Sequence, residues 1–172
     1  MTGAPPSPSP LPYTDTKPHG HADFYFATNA TFRFILARFG YDRLKQYWTD
    51  IGTNYYKPVS TNWKRAGLAA VAGYWRAFLA PEPGAEVEVT TTADEVRLEV
   101  KTCPLIKHLR DHQREIVPCI CQHCYFVSEA IAAPAGMTVR VSGGNGRCTQ
   151  RFVLSSKDEP AQQLSDIKEA TA

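Results

Sequence analysis

Apolar residues recur every three to four positions through the first half of the chain. From Asn29 onwards Phe32, Ile35, Leu36 and Phe39 fall on one helical stripe, with Thr28 or Asn29 as N-cap and Gly40 as the stop. A second stripe of Leu44, Tyr47, Trp48 and Ile51 follows at once, with Asp42 in its first turn and Gly52 placed to end it. Between about Thr61 and Leu79 a broad third stripe holds Trp63, Val71, Tyr74, Trp75 and Phe78. Its small residues, Ala66, Gly67, Ala69 and Ala70, leave room for another element to come close.

Pro81-Glu82-Pro83-Gly84 breaks that helix, and the period falls from about 3.6 residues to about 2. Ala85, Val87 and Val89 alternate with polar residues, as do Val96, Leu98 and Val100, around the turn Thr92-Ala93-Asp94-Glu95. A second pair of alternating runs, from Met137 to Val141 and from Cys148 to Leu154, flanks Gly143-Gly144-Asn145-Gly146. A helical stretch lies between the two hairpins. The order predicts an α+β fold, an antiparallel sheet of two hairpins covered by helices.

At 172 residues the chain suits one hydrophobic core. Residues 1–22, with the run Ala4-Pro5-Pro6-Ser7-Pro8-Ser9-Pro10, are too rich in proline to form a core element and read as a tail. Residues 23–155 form the predicted domain, and the polar stretch 156–172 is expected to fray. No internal repeat is evident.

Nineteen basic and seventeen acidic residues are spread along the chain, giving a net charge of +2 and no basic arm, so no nucleic-acid partner is expected. No stretch approaches the roughly 18 apolar residues that span a bilayer, and no basic-then-apolar leader opens the chain. The expectation is a cytoplasmic protein without membrane association, acting on a small molecule, with self-association left open. In a reducing compartment its five cysteines are expected as thiols or metal ligands rather than disulfides.

The cysteines carry the candidate chemistry. Cys103 ends the second strand and precedes Pro104, a residue favoured at the first helical position, so it caps a helix N-terminus. The amides and dipole there favour a thiolate, and a buried structural cysteine is the plainer alternative. Cys119-Ile120-Cys121-Gln122-His123-Cys124 then packs three thiols and an imidazole into six residues. On a helix Cys121 and Cys124 share one face, a spacing that suits zinc, an iron–sulfur cluster such as [4Fe-4S], or a redox dithiol. No second CxxC follows, so a metal at this site requires Cys103 and Cys148 as the remaining ligands. Cys148 alternates in phase with Gln150 and Phe152 and is expected to point inward. His108 and His112 stand four apart on a helix, a chelating spacing that is more commonly a solvated face. The glycine turn at 143–146 can cradle an anion, although a hairpin needs the same residues for positive φ.

Val100-Lys101-Thr102-Cys103-Pro104, then Cys121 opening an alanine-rich helix, then a glycine turn and Arg147-Cys148-Thr149-Gln150-Arg151-Phe152, resemble the L-2-amino-thiazoline-4-carboxylic acid hydrolase family. That group is itself similar to 4-vinyl reductase-type ligand-binding domains, and the resemblance covers residues 25–154. It implies hydrolytic opening of a thiazoline ring and matches Cys103, Cys121 and Cys148. Where the family carries an aspartate three residues after the middle cysteine, this chain has Cys124. A thiol there removes a general base and adds a soft ligand.

Two functions follow. One is a hydrolase-like or lyase-like enzyme for a small heterocyclic or sulfur-containing substrate, with Cys103 or Cys121 as nucleophile and His123 as proton carrier. The other is a binding or sensing domain in which Cys103, Cys121, Cys124 and Cys148 hold zinc or an iron–sulfur cluster without turnover.

Overall fold

The computed structural model describes residues 22–157 and 159–171, so the proline-rich tail expected over 1–22 lies, but for Ala22, outside the described residues. Helices α1 (Phe24–Phe39), α2 (Tyr41–Asp50) and α3 (Lys57–Leu79) come first. Strands β1 (Glu86–Thr91) and β2 (Glu95–Thr102) lead into α4 (Pro104–Asp111), a 3-10 turn (Pro118–Cys121) and α5 (Gln122–Ala132). Strands β3 (Met137–Gly144), β4 (Arg147–Leu154) and the two-residue β5 (Ile167–Lys168) complete one sheet.

The fold is α+β, but the sheet is not two hairpins side by side. Its strand order is β1-β2-β4-β3-β5, antiparallel except where β5 runs parallel to β3. The second hairpin docks through its later strand, so β4 lies at the centre, with Cys148 opposite Val100 on one side and Gly143 on the other. The segment expected to fray instead returns to the fold: Ile167 and Ala170 are buried, and the Ala170 amide donates to the Pro118 carbonyl at 2.8 Å. Gly144 makes the parallel pairing sterically feasible, because a Cβ there would lie 2.4 Å from the Lys168 carbonyl oxygen.

The helices differ from expectation at three glycine or polar positions. Gly40 stops α1 as expected, with φ +82°, but α1 begins at Phe24, so Asn29 is no cap. It is buried within the helix, where its amide donates to the Glu115 carbonyl at 2.8 Å and its oxygen accepts the Val117 amide at 3.1 Å. Gly52 does not end the second helix, because the chain continues through a π-helical turn, Ile51–Tyr55. Its missing side chain instead lets α5 approach, since a Cβ would lie 2.5 Å from the Val127 carbonyl oxygen. Gly67 kinks α3 with φ +63°.

Two apolar bodies result. Trp63, Val71, Leu98, Ile131, Val139 and Phe152 join α3 and α5 to the sheet, while Phe32, Leu44, Trp48, Ile106, Leu109 and Ile120 join α1, α2, α4 and the 3-10 turn. Cys121 and Val127 pack against both bodies. No described helix is long and apolar enough to cross a membrane.

These contacts set opposite signs for two glycine substitutions. Gly52→Ala is expected to destabilise the protein by about 1–3 kcal/mol through overpacking. Gly73→Ala, at a helical position where a Cβ meets nothing within 4 Å, should stabilise it by roughly 0.5–1 kcal/mol. Urea unfolding of both variants checks the pair, and equal effects would refute this reading of Gly52.

Candidate functional site

Four elements bring four thiols to one place. Cys103 leaves β2 and precedes α4; Cys121 ends the 3-10 turn; Cys124 lies in the first turn of α5; Cys148 is the second residue of β4. All four, with His123, line a cavity of about 50 Å³, room for a few water molecules. Leu105, Ile106, Ile120, Val141 and Ile167 supply apolar wall. All five cysteines are free thiols.

The glycine turn forms the lid of this cavity. Asn145 and Gly146 occupy the turn itself with φ +56° and +103°, the positive pair that a two-residue hairpin demands. The Asn145 amide donates to the Cys121 sulfur at 3.3 Å, and the Cys103 amide donates to the Gly146 carbonyl at 2.9 Å. Turn and thiols are thus held as one unit.

Burial dominates the electrostatics. Cys103 does precede a helix N-terminus, yet its sulfur makes no capping bond. Burial pushes its thiol up to about 11, the nearby Cys124 adds to the rise, and the Ile106 and Leu105 amides oppose it only in part. The helix end therefore does not bring the Cys103 thiol below its ordinary value. Desolvating a charge costs more here than the helix end returns. Burial likewise pushes Cys121 and Cys124 up to about 11, and Cys148 higher still, with the other thiols adding to the rise at Cys121 and Cys148.

His123 is held below the ordinary imidazole range by burial, so it is neutral at pH 7. Its Nδ1 lies 3.0 Å from the Ile120 carbonyl, an acceptor, which places the proton on Nδ1 and leaves Nε2 with a free lone pair. The ring packs on Phe32 and Trp48 at 5.5 and 6.4 Å between centroids. Cys124 Sγ is 3.6 Å from Nδ1.

The quartet proposed as metal ligands shares a cavity without closing on a point. Among the described residues no group of three histidine, cysteine, aspartate or glutamate side chains is arranged to hold a metal ion. The donor set itself, four thiols with an imidazole at hand, is what zinc and iron–sulfur centres take. The residue types fit such a group; their spacing in this structure does not.

Cys119 and the histidine pair stand apart from it. Cys119 packs against the apolar body of α1, α2 and α4. His108 and His112 stack on each other and on Phe26, with His108 half-buried and 3.7 Å from Asp23 and His112 exposed.

Two features had no signal in the sequence. Gln150 is buried, its Nε2 reaches to 3.9 Å from the Cys148 sulfur, and its Oε1 has no partner. Strand alternation placed it inward without indicating a polar role. Beside the thiol cavity lies an open cleft of about 500 Å³ whose walls include Arg110, Arg147 and Lys168. The two voids share Cys103, Ile106, Gly144, Gly146 and Arg147.

No known family's sequence profile matches the chain, and no curated protein matches it.

The raised thiols give a pH signature. At pH 7.5 iodoacetamide should modify Cys103, Cys121 and Cys124 of the folded, metal-free protein about a hundredfold more slowly than a free thiol, because a rise from the ordinary 9.0 to about 11 leaves that much less thiolate. The folded state binds these protons more tightly than the unfolded one. Their contribution to stability is therefore complete below pH 9 and is lost as pH rises through about 11. Residue-resolved mass spectrometry and unfolding across that range check both statements, and fast labelling at pH 7.5 would contradict them.

Proposed function

We propose that Cys103, Cys121, Cys124 and Cys148 form the centre for a thiophilic cation, as zinc or an iron–sulfur cluster, in an enzyme with hydrolase-like or lyase-like action on a small heterocyclic or sulfur-containing molecule. The observation that carries this reading is the meeting of four thiols from four elements on one cavity. Four protonated thiols hold a void poorly as packing, and a soft cation turns the same burial into binding energy as their protons leave. With three of the four sulfurs as ligands a bound metal would keep an open position and would supply Lewis acidity or an activated water there; with all four it would be a closed, structural centre. The chain supplies the sulfurs, the apolar wall that excludes bulk water, and the free Nε2 lone pair of His123 as a proton acceptor.

The resemblance to thiazoline-carboxylate hydrolases supports the enzymatic side of the reading. Its three matched positions, Cys103, Cys121 and Cys148, line one cavity although 45 residues separate the first from the last. Cys124 stands where the family has an aspartate, and its position on the same cavity favours a ligand there over a base. A second reading, Cys103 as a metal-free nucleophile, is favoured by its place on the walls of both voids. That reading requires a substrate or cation to lower its pKa.

Protein purified without oxygen should carry close to one metal centre per chain, brown if iron and sulfide are present and colourless if zinc. Cys124→Asp should lower occupancy about tenfold or more, because an oxygen donor matches a thiolate-rich site poorly. Cys119→Ser should leave it unchanged. Metal-free protein that opens a thiazoline ring, with activity abolished by Cys103→Ser, would replace the metal reading with the nucleophile. Metal binding with no turnover on such rings would reduce the function to sensing.

A further inference from the structure

We propose that the open cleft beside the thiol cavity is a binding site for a small, multiply charged organic anion, a phosphate monoester or a dicarboxylate, recognised by Arg147 and Lys168 with Arg110 as the positioning residue. As the substrate class of the thiol centre this rests on the function proposed above; as a binding site it does not depend on the metal.

The charge count comes first. Five cationic side chains, Lys101, Lys107, Arg110, Arg147 and Lys168, line the cleft, against one carboxylate, Asp111. Asp111 is taken by Lys107 at 2.5 Å, and Lys101 is paired with Glu88 at 3.1 Å. Among the described residues Arg110 meets uncharged acceptors: the Asn145 backbone carbonyl at 3.3 Å, the Asn145 side-chain oxygen, and the Thr171 carbonyl at 2.9 Å. Neither Arg147 nor Lys168 forms an ion pair among the described residues. Among the described residues, three cations thus face one concavity with no carboxylate paired to any of them. A single negative charge leaves an excess, which is the argument for a dianion.

The shape agrees with that count. About 500 Å³ lies within the range of small-molecule sites. Arg110 is half-buried and tied at once to the glycine turn and to the segment after β5, so its charge is fixed before a ligand arrives. Arg147 and Lys168 are exposed and free to close on the anion. Cys103 stands on the wall common to both voids. Asn145, held by Arg110 on the cleft side, gives its amide to Cys121 on the other. An anion in the cleft therefore bears on the thiols through one residue.

Calorimetric titration of the purified chain at low salt with inorganic phosphate, malonate and acetate tests the site. Phosphate or malonate should bind about tenfold or more tightly than acetate, and the tighter of the two tells monoester from dicarboxylate chemistry. The double variant Arg147→Gln, Lys168→Gln should weaken that binding about tenfold or more, while Arg65→Gln on α3 leaves it unchanged. Circular dichroism confirms that each variant is folded. Phosphate should also change the iodoacetamide labelling rate of Cys121. Equal affinity for acetate, indifference to the double variant, or no binding of either dianion would overturn the proposal. Repeating the titration after chelation separates it from the metal reading, which can fail while anion binding persists.

Discussion

One buried amide fixes the connection that leads to Cys121 and Cys124. Asn29 lies inside α1 with its donor on the Glu115 carbonyl and its acceptor on the Val117 amide, two backbone groups of the connection between α4 and α5. A buried backbone group without a partner costs about 1–3 kcal/mol, so this side chain holds in place a stretch that has no secondary structure of its own. From there the order is fixed by covalent geometry. Val117 leads directly into the 3-10 turn that ends at Cys121, and α5 begins with Gln122, His123 and Cys124. If Asn29 is the fixed point, the apolar packing of Phe32 and Trp48 against His123 and Phe126 is the surface that fixes the angle of α5.

The thiol cavity then shows a conflict between a local rule and a tertiary one. Locally, a cysteine before Pro104 at a helix start ought to ionise readily. The fold buries that cysteine against the apolar body of α1, α2 and α4 and sets Cys124 close enough to make its thiolate harder still to form. Burial of this kind holds the thiols protonated and slows their reaction with solvent reagents.

Much of this was legible in the sequence, and the misses share a cause. Helix stripes such as Leu44, Tyr47 and Trp48, and the alternation along β2 and β4, are local patterns that burial imposes on neighbouring residues. The density of cysteines from Cys119 to Cys124 was legible for the same reason. Asn29 was not, because a short polar side chain at the edge of an apolar stripe has the signature of a cap, and only the distant connection it serves shows otherwise. Strand β5 was invisible because two residues carry no period; what seats them is the absence of a side chain at Gly144. The cationic cleft draws Arg110, Arg147 and Lys168 from three separate stretches, and no spacing rule joins them.

The position of β5 also has a consequence in time. Ile167 closes one wall of the thiol cavity, yet it is the last of the lining residues to be made, with Cys103 synthesised more than sixty residues earlier. Protein synthesis is vectorial and slow beside local folding, at about 5–20 residues per second. For several seconds on the ribosome, therefore, the growing chain holds its earlier sulfurs uncovered. That interval is when the sulfurs are most open to oxidants and other reagents. The late closing strand sets its length.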